Sequence, residues 1–74
     1  MEIGMLWLDD NKKRSVDEKI RKAAAYYLEK YEQSPDLCLV NRKLLAEERQ
    51  VDAILVKPAQ YVLMNHFWLG VSSN

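Results

Sequence analysis

Seventy-four residues, 49% hydrophobic and 30% charged, form an ordinary globular composition and argue against a disordered or low-complexity chain. Eleven basic residues balance eleven acidic ones, which argues against a chain built mainly to grip a phosphate backbone. A single cysteine, Cys38, excludes an internal disulfide framework and a cysteine-based zinc site.

A chain of this length is expected to form one domain over residues 1–74, with a core that buries only about 60–65% of the unfolded surface. The opening MEIGMLWLDD, interrupted by Glu2 and Asp9-Asp10, does not read as a signal peptide. No apolar run approaches the ~18 residues of a membrane span, so a cytoplasmic, non-membrane protein is expected.

Ile3 to Leu8 reads as a strand that is apolar on both faces, ended by Asp9-Asp10-Asn11, whose short polar side chains compete for the backbone. Ser15-Val16-Asp17-Glu18 is a capping box, and a helix is expected from there to about Glu32. Its apolar stripe is Val16, Ile20, Ala23, Ala24, Tyr27, Leu28 and Tyr31, and the alanines keep it thin enough to lie against a sheet. Pro35 stops the helix. Leu37 to Val40 is a short apolar strand, and the strand–helix–strand order implies that the first two strands run parallel. Asn41 is placed to cap a second, shorter helix over about Arg42 to Arg49.

Val51 to Val71 is the longest stretch poor in charge. Its β-branched and aromatic residues predict three strands: Ala53 to Lys57, Tyr61 to Met64 and Phe67 to Val71. Breaks are expected at Pro58-Ala59-Gln60 and at Asn65-His66, the latter as a tight hairpin because Asn tolerates positive φ. The expected order is β-α-β-α-β-β-β. The fold class is α/β or α+β: a small mixed sheet of four or five strands with one long and one short helix.

Asp9-Asp10 after one strand and Lys57-Pro58 after another resemble phosphoreceiver domains, in which paired acids hold magnesium. The resemblance covers four residues. Val40 is followed by Asn41 rather than a phosphoacceptor Asp, and the chain has room for about half of the βα units that such a fold needs. The acids read instead as a solvated turn. A nucleophilic dyad would require Cys38 and His66 to converge from different segments. Two glycines, Gly4 and Gly70, rule out a glycine-rich phosphate loop. No catalytic residue, cofactor or metal ligand is therefore expected, and the chain does not read as an enzyme.

Both parities of the C-terminal segment are apolar, more than one long helix can cover. A homodimer is expected, or docking on another protein, through a surface comprising Tyr61, Met64, Asn65, His66, Phe67, Trp68, Leu69 and Val71. The alternative is a nucleic-acid-binding accessory protein using sheet aromatics for base stacking and Lys12-Lys13-Arg14, Arg21-Lys22 and Arg42-Lys43 for phosphates.

Overall fold

The computed structural model describes residues 4–71. In chain order the elements are β1 (Gly4–Leu8), α1 (Val16–Tyr31), β2 (Leu37–Asn41), β3 (Arg49–Val51), β4 (Ile54–Ala59) and β5 (His66–Gly70). They form one mixed five-stranded sheet, in the order β1-β5-β2-β4-β3, with a single helix among the described residues: an α+β fold. Ile3, expected to open the first strand, lies outside the described residues.

The pairings fix the directions. β5 is antiparallel to both β1 and β2, β2 and β4 are parallel, and β3 is antiparallel to β4. β1 and β2 therefore run the same way, as the strand–helix–strand order implies, but β5 is inserted between them. β1, β2 and β4 end at one edge of the sheet, where β5 begins.

α1 starts where the capping box puts it. The Glu18 amide donates to the Ser15 hydroxyl at 3.2 Å, and the Ser15 amide donates to the Glu18 carboxylate at 3.3 Å. Each bond satisfies a group that the first helical turn would leave unpaired. The helix ends at Glu32, whose left-handed φ of 55° turns its amide back to the Leu28 carbonyl at 2.7 Å. Ile20, Ala23 and Tyr27 are buried against the sheet, and Val16, Ala24 and Tyr31 pack at the margin. Two positions depart from the expected stripe: Leu28 is exposed and Lys19 is buried. The sheet's half of the core is Met5, Cys38, Val40, Val51, Ile54, Val56, Phe67 and Leu69.

The second helix expected over Arg42 to Arg49 does not form. Asn41 does build a turn, its carboxamide oxygen accepting from the Lys43 amide at 2.8 Å and its carbonyl from the Leu44 amide at 2.9 Å. The turn does not propagate because Leu44 and Leu45 are adjacent and have no apolar partner three or four residues on, so a helix there would present no face to the core. The segment leads instead into β3, a short strand that the sequence reading missed. β3 joins β4 through a two-residue connection in which Asp52 takes a φ of 54°, a conformation that Asp tolerates better than most residues.

Tyr61 to Met64 is a connection, not a strand, so the hairpin expected at Asn65-His66 does not form, and His66 opens β5 instead of breaking the chain. The topology gives the reason. β2 lies between β4 and β5, so the chain must pass over the end of β2, a step of two strand spacings or about 10 Å. Residues 60–65 make that step. Asn41, the last residue of β2, donates through Nδ2 to the Val62 carbonyl as the chain crosses, at 2.8 Å. Asn65 then turns the chain into β5 with a φ of 64° and accepts the Asp9 amide on its carbonyl at 2.9 Å. Pro58 and Ala59, expected to break the chain, continue β4.

Candidate functional site

Strand alternation assigns each side chain to a face. Met5, Cys38, Val40, Val56, Phe67 and Leu69 face α1. Leu6 and Leu8 of β1, Leu37 and Leu39 of β2, Leu55 of β4 and Trp68 of β5 face the other way, where no described element covers the sheet. Leu6 and Leu8 are 61% and 60% exposed. The crossing connection adds Tyr61, Leu63 and Met64 at 76%, 70% and 45%, while its Val62 is buried. At those fractions the five exposed residues present on the order of 600 Å² of surface, most of it apolar, comparable with a monomer's largest patch.

The surface is concave. A groove of about 600 Å³ runs between the sheet and the connection, with Leu6, Leu37, Leu39 and Trp68 on the sheet side and Tyr61, Val62 and Leu63 on the other. Gly4 and Gly70, paired across β1 and β5, form the seat for the Trp68 indole. A Cβ at either position would overlap the ring, so the absence of side chains there lets the indole lie against the backbone. Trp68 thus lines the sheet side of the groove.

His66 is the polar member. It shares the open face with Trp68, pairs in register with Leu8, and lines the groove. Its Nδ1 lies 2.9 Å from the Met64 carbonyl oxygen. A carbonyl only accepts, so the neutral ring carries its proton on Nδ1 and leaves the Nε2 lone pair unprotonated.

The residues singled out from the sequence divide between the faces. Tyr61, Met64 and Trp68 lie on the open side together with His66, and Asn65 anchors the turn beside them. Phe67 and Leu69 are fully buried against α1, and Val71 packs at the core's margin. The sequence reading passed over Leu6, Leu8, Leu37 and Leu39, although the two-sided apolar character of the first strand was the available signal.

The chemical constellations do not assemble. Cys38 is buried on the helix side and His66 lies on the opposite side, so the sheet separates them; burial also pushes the Cys38 thiol up to about 12, far from a thiolate at neutral pH. Asp9 is not a solvated acid but a buried turn residue: its carboxylate accepts the Asn11 amide at 3.0 Å and lies 3.7 Å from the Arg14 guanidinium. Among the described residues no three His, Cys, Asp or Glu side chains are grouped so as to hold a metal ion. No helix among them is long and apolar enough to cross a membrane.

Of the basic clusters, Lys12, Lys13, Lys22, Arg42 and Lys43 are exposed. Arg14 pairs with Asp9, and Arg21 of α1 pairs with Asp52 at 3.1 Å. Arg49 of β3 pairs with Asp17 at the start of α1. The aromatics also divide: Tyr27 and Tyr31 meet at a tilt in or beside the core, their ring centroids 4.6 Å apart, and Trp7 lies against Tyr26 at 4.9 Å. Comparison with family models, with curated proteins and with solved structures returns no match.

Proposed function

We propose that this chain is a non-catalytic interaction module that self-associates through the open face of its sheet. The observation that carries the reading is the uncovered apolar face: leucines of β1 and β2 and the indole of Trp68, flanked by the exposed Tyr61, Leu63 and Met64. Its area is most of the ~800 Å² that each partner contributes to a standard-size interface. A second copy is the occupant that meets the chemistry. The face offers no charge pattern for a charged partner to complement, and a two-fold axis sets one concave apolar surface against an identical one. Lys57, also on this face, has a stem long enough to lie along apolar surface with its ammonium at the rim.

Two aromatics on this face, Tyr61 and Trp68, are what remains of the base-stacking alternative; Phe67 is in the core, and of the basic clusters Arg14 and Arg21 are engaged in ion pairs. Light scattering at micromolar concentrations separates the readings. Twice the 8.7 kDa chain mass is expected, falling to 8.7 kDa on introducing Leu6→Lys or Leu63→Lys, with an unchanged far-ultraviolet spectrum. A wild type of 8.7 kDa throughout overturns the proposal. Should that monomer also shift the anisotropy of a labelled oligonucleotide, with a salt-dependent affinity, the nucleic-acid reading takes its place.

A further inference from the structure

Resting on the self-association just described, we infer that His66 makes that association pH-sensitive: neutral imidazole permits the dimer and protonation dissociates it. The argument starts from where the ring sits. His66 is the chain's one histidine and lines a groove whose other walls are leucine, valine, tyrosine and tryptophan side chains. Nδ1 donates to the Met64 carbonyl, so a second proton can enter only at Nε2. A second copy covering the groove would remove that imidazolium from water without supplying an anion, and an unpaired buried charge costs several kcal/mol.

The groups around the ring leave it as the one that switches. From β1, Leu8 faces it in register, and the carboxylate of the following Asp9 is already committed to the Asn11 amide and Arg14. Asp10 is exposed at the same strand end. From the crossing connection comes the phenol of Tyr61 and from β2 the neutral carboxamide of Asn41; Lys57 of β4 shares the face but lies two strands away, beyond β2. Between pH 8 and pH 5 imidazoles are the class of side chain that gains a proton. The dimer holds two copies of the ring, so the dissociation constant is expected to rise by about 10²-fold or more over that range, because the monomers bind protons that the dimer excludes.

Sedimentation velocity of the full chain at pH 8 and pH 5, with circular dichroism on the same samples, tests this. His66→Asn keeps a donor for the Met64 carbonyl but cannot become charged; His66→Lys carries a charge at both pH values. The expected result is a wild type that is dimeric at pH 8 and monomeric at pH 5 with its helix signal intact, an Asn variant dimeric at both, and a Lys variant monomeric at both. A wild type dimeric at both pH values overturns the role of His66 and leaves self-association standing. A wild type monomeric at both overturns self-association and this inference with it. Dissociation of the Asn variant at pH 5, or loss of the helix signal when the wild type dissociates, also overturns it, since the sensitivity would then lie in another group or in the fold.

Discussion

On the helix side of the sheet, Cys38, Val40, Val56, Phe67 and Leu69 are entirely removed from water; on the other side, Leu6 and Leu8 keep about 60% of their surface in it. The residue types hardly differ, and neighbours along the same strand have opposite fates. What differs is the cover. A 16-residue helix is about 24 Å long and about 10 Å wide, enough for the middle of one face of five strands and nothing more. The second helix that the sequence suggested would have been the only other cover, and Arg42 to Glu48 form turns that tuck Leu44 and Leu45 into the same side as α1. Apolar character along a strand therefore reports an intention to bury it, and the number of covering elements decides whether the chain can do so alone.

The strongest way to break this comparison is to truncate one residue on each face. Phe67→Ala opens a cavity at a fully buried site and is expected to cost about 3–5 kcal/mol, comparable with the whole stability of a domain this small. Leu63→Ala, on the open side, is expected to change the stability of the monomer by less than about 0.5 kcal/mol. Urea titration at low protein concentration reads both. Similar costs for the two would mean that the open face is already part of the monomer's core.

The helix side also has a pH signature. Burial raises the Cys38 thiol from its ordinary 9.0 to about 12. Below pH 9 the thiol is protonated in both states and its contribution is fully present. As pH rises through 9 towards 12 the unfolded chain releases a proton that the folded chain keeps, so stability falls, by at most about 1.4 kcal/mol per pH unit. Burial, helped by the neighbouring Tyr31 and Asp36, raises the phenol of Tyr27 too, which adds a loss of the same sign at higher pH. Comparing wild type with Cys38→Val between pH 8 and pH 10.5 isolates the thiol. An equally steep decline in both would show that Cys38 ionises as readily folded as unfolded. Ellman's reagent should leave the native thiol untouched and react once urea unfolds the chain.

A smaller effect probes the seat of Trp68. Gly4→Ala places a methyl where the indole lies, and because this face is open the ring can swing out instead of forcing the backbone apart. The expected cost is about 1–2 kcal/mol, less than overpacking a closed core can reach, accompanied by a red shift in tryptophan emission. Trp7, held on the helix side against Tyr26, should be unaffected, so a Trp7→Phe background assigns the shift to Trp68. An unchanged spectrum would mean that the indole does not rest on the glycine pair.

How much of this was legible depends on what kind of information each feature needs. The capping box at Ser15, the stop before Pro35, the strands around Leu6 and Leu39, and the left-handed Asn65 are local: each follows from a few neighbouring side chains. The insertion of β5 between β1 and β2 is not, because Phe67 and Trp68 would alternate equally well beside β4. The reading of Tyr61 to Met64 as a strand failed for the same reason. Its residues have strand character, but strand order makes them a crossing, held by an Asn41 carboxamide twenty-one residues away. For the candidate site, the excess of apolar surface could be counted from composition and parity; its leucines on β1 and β2 could not be assigned to one face until pairing brought those strands to either side of Trp68.

A further local effect concerns the edge of the cover itself. Ser15 contributes one hydroxyl, accepting the Glu18 amide at 3.2 Å on an exposed side of the helix start, and no apolar packing. Ser15→Ala should therefore cost only the cap, about 1 kcal/mol, within the 0.5–2 kcal/mol spread of such substitutions. The loss should be local, because Asp17 and Glu18 still favour the positive end of the helix dipole and the Asp17–Arg49 pair still ties that end to β3. Amide exchange would show faster exchange in the first turn of α1 and at Lys19, whose amide bonds the Ser15 carbonyl at 3.1 Å, while Phe67 and Leu69 keep their protection apart from the uniform loss set by global stability. The self-association proposed for the open face should be unaffected, since that face lies across the sheet from the cap. A cap substitution that weakened the dimer while leaving the monomer's stability intact would show that the two faces are not independent.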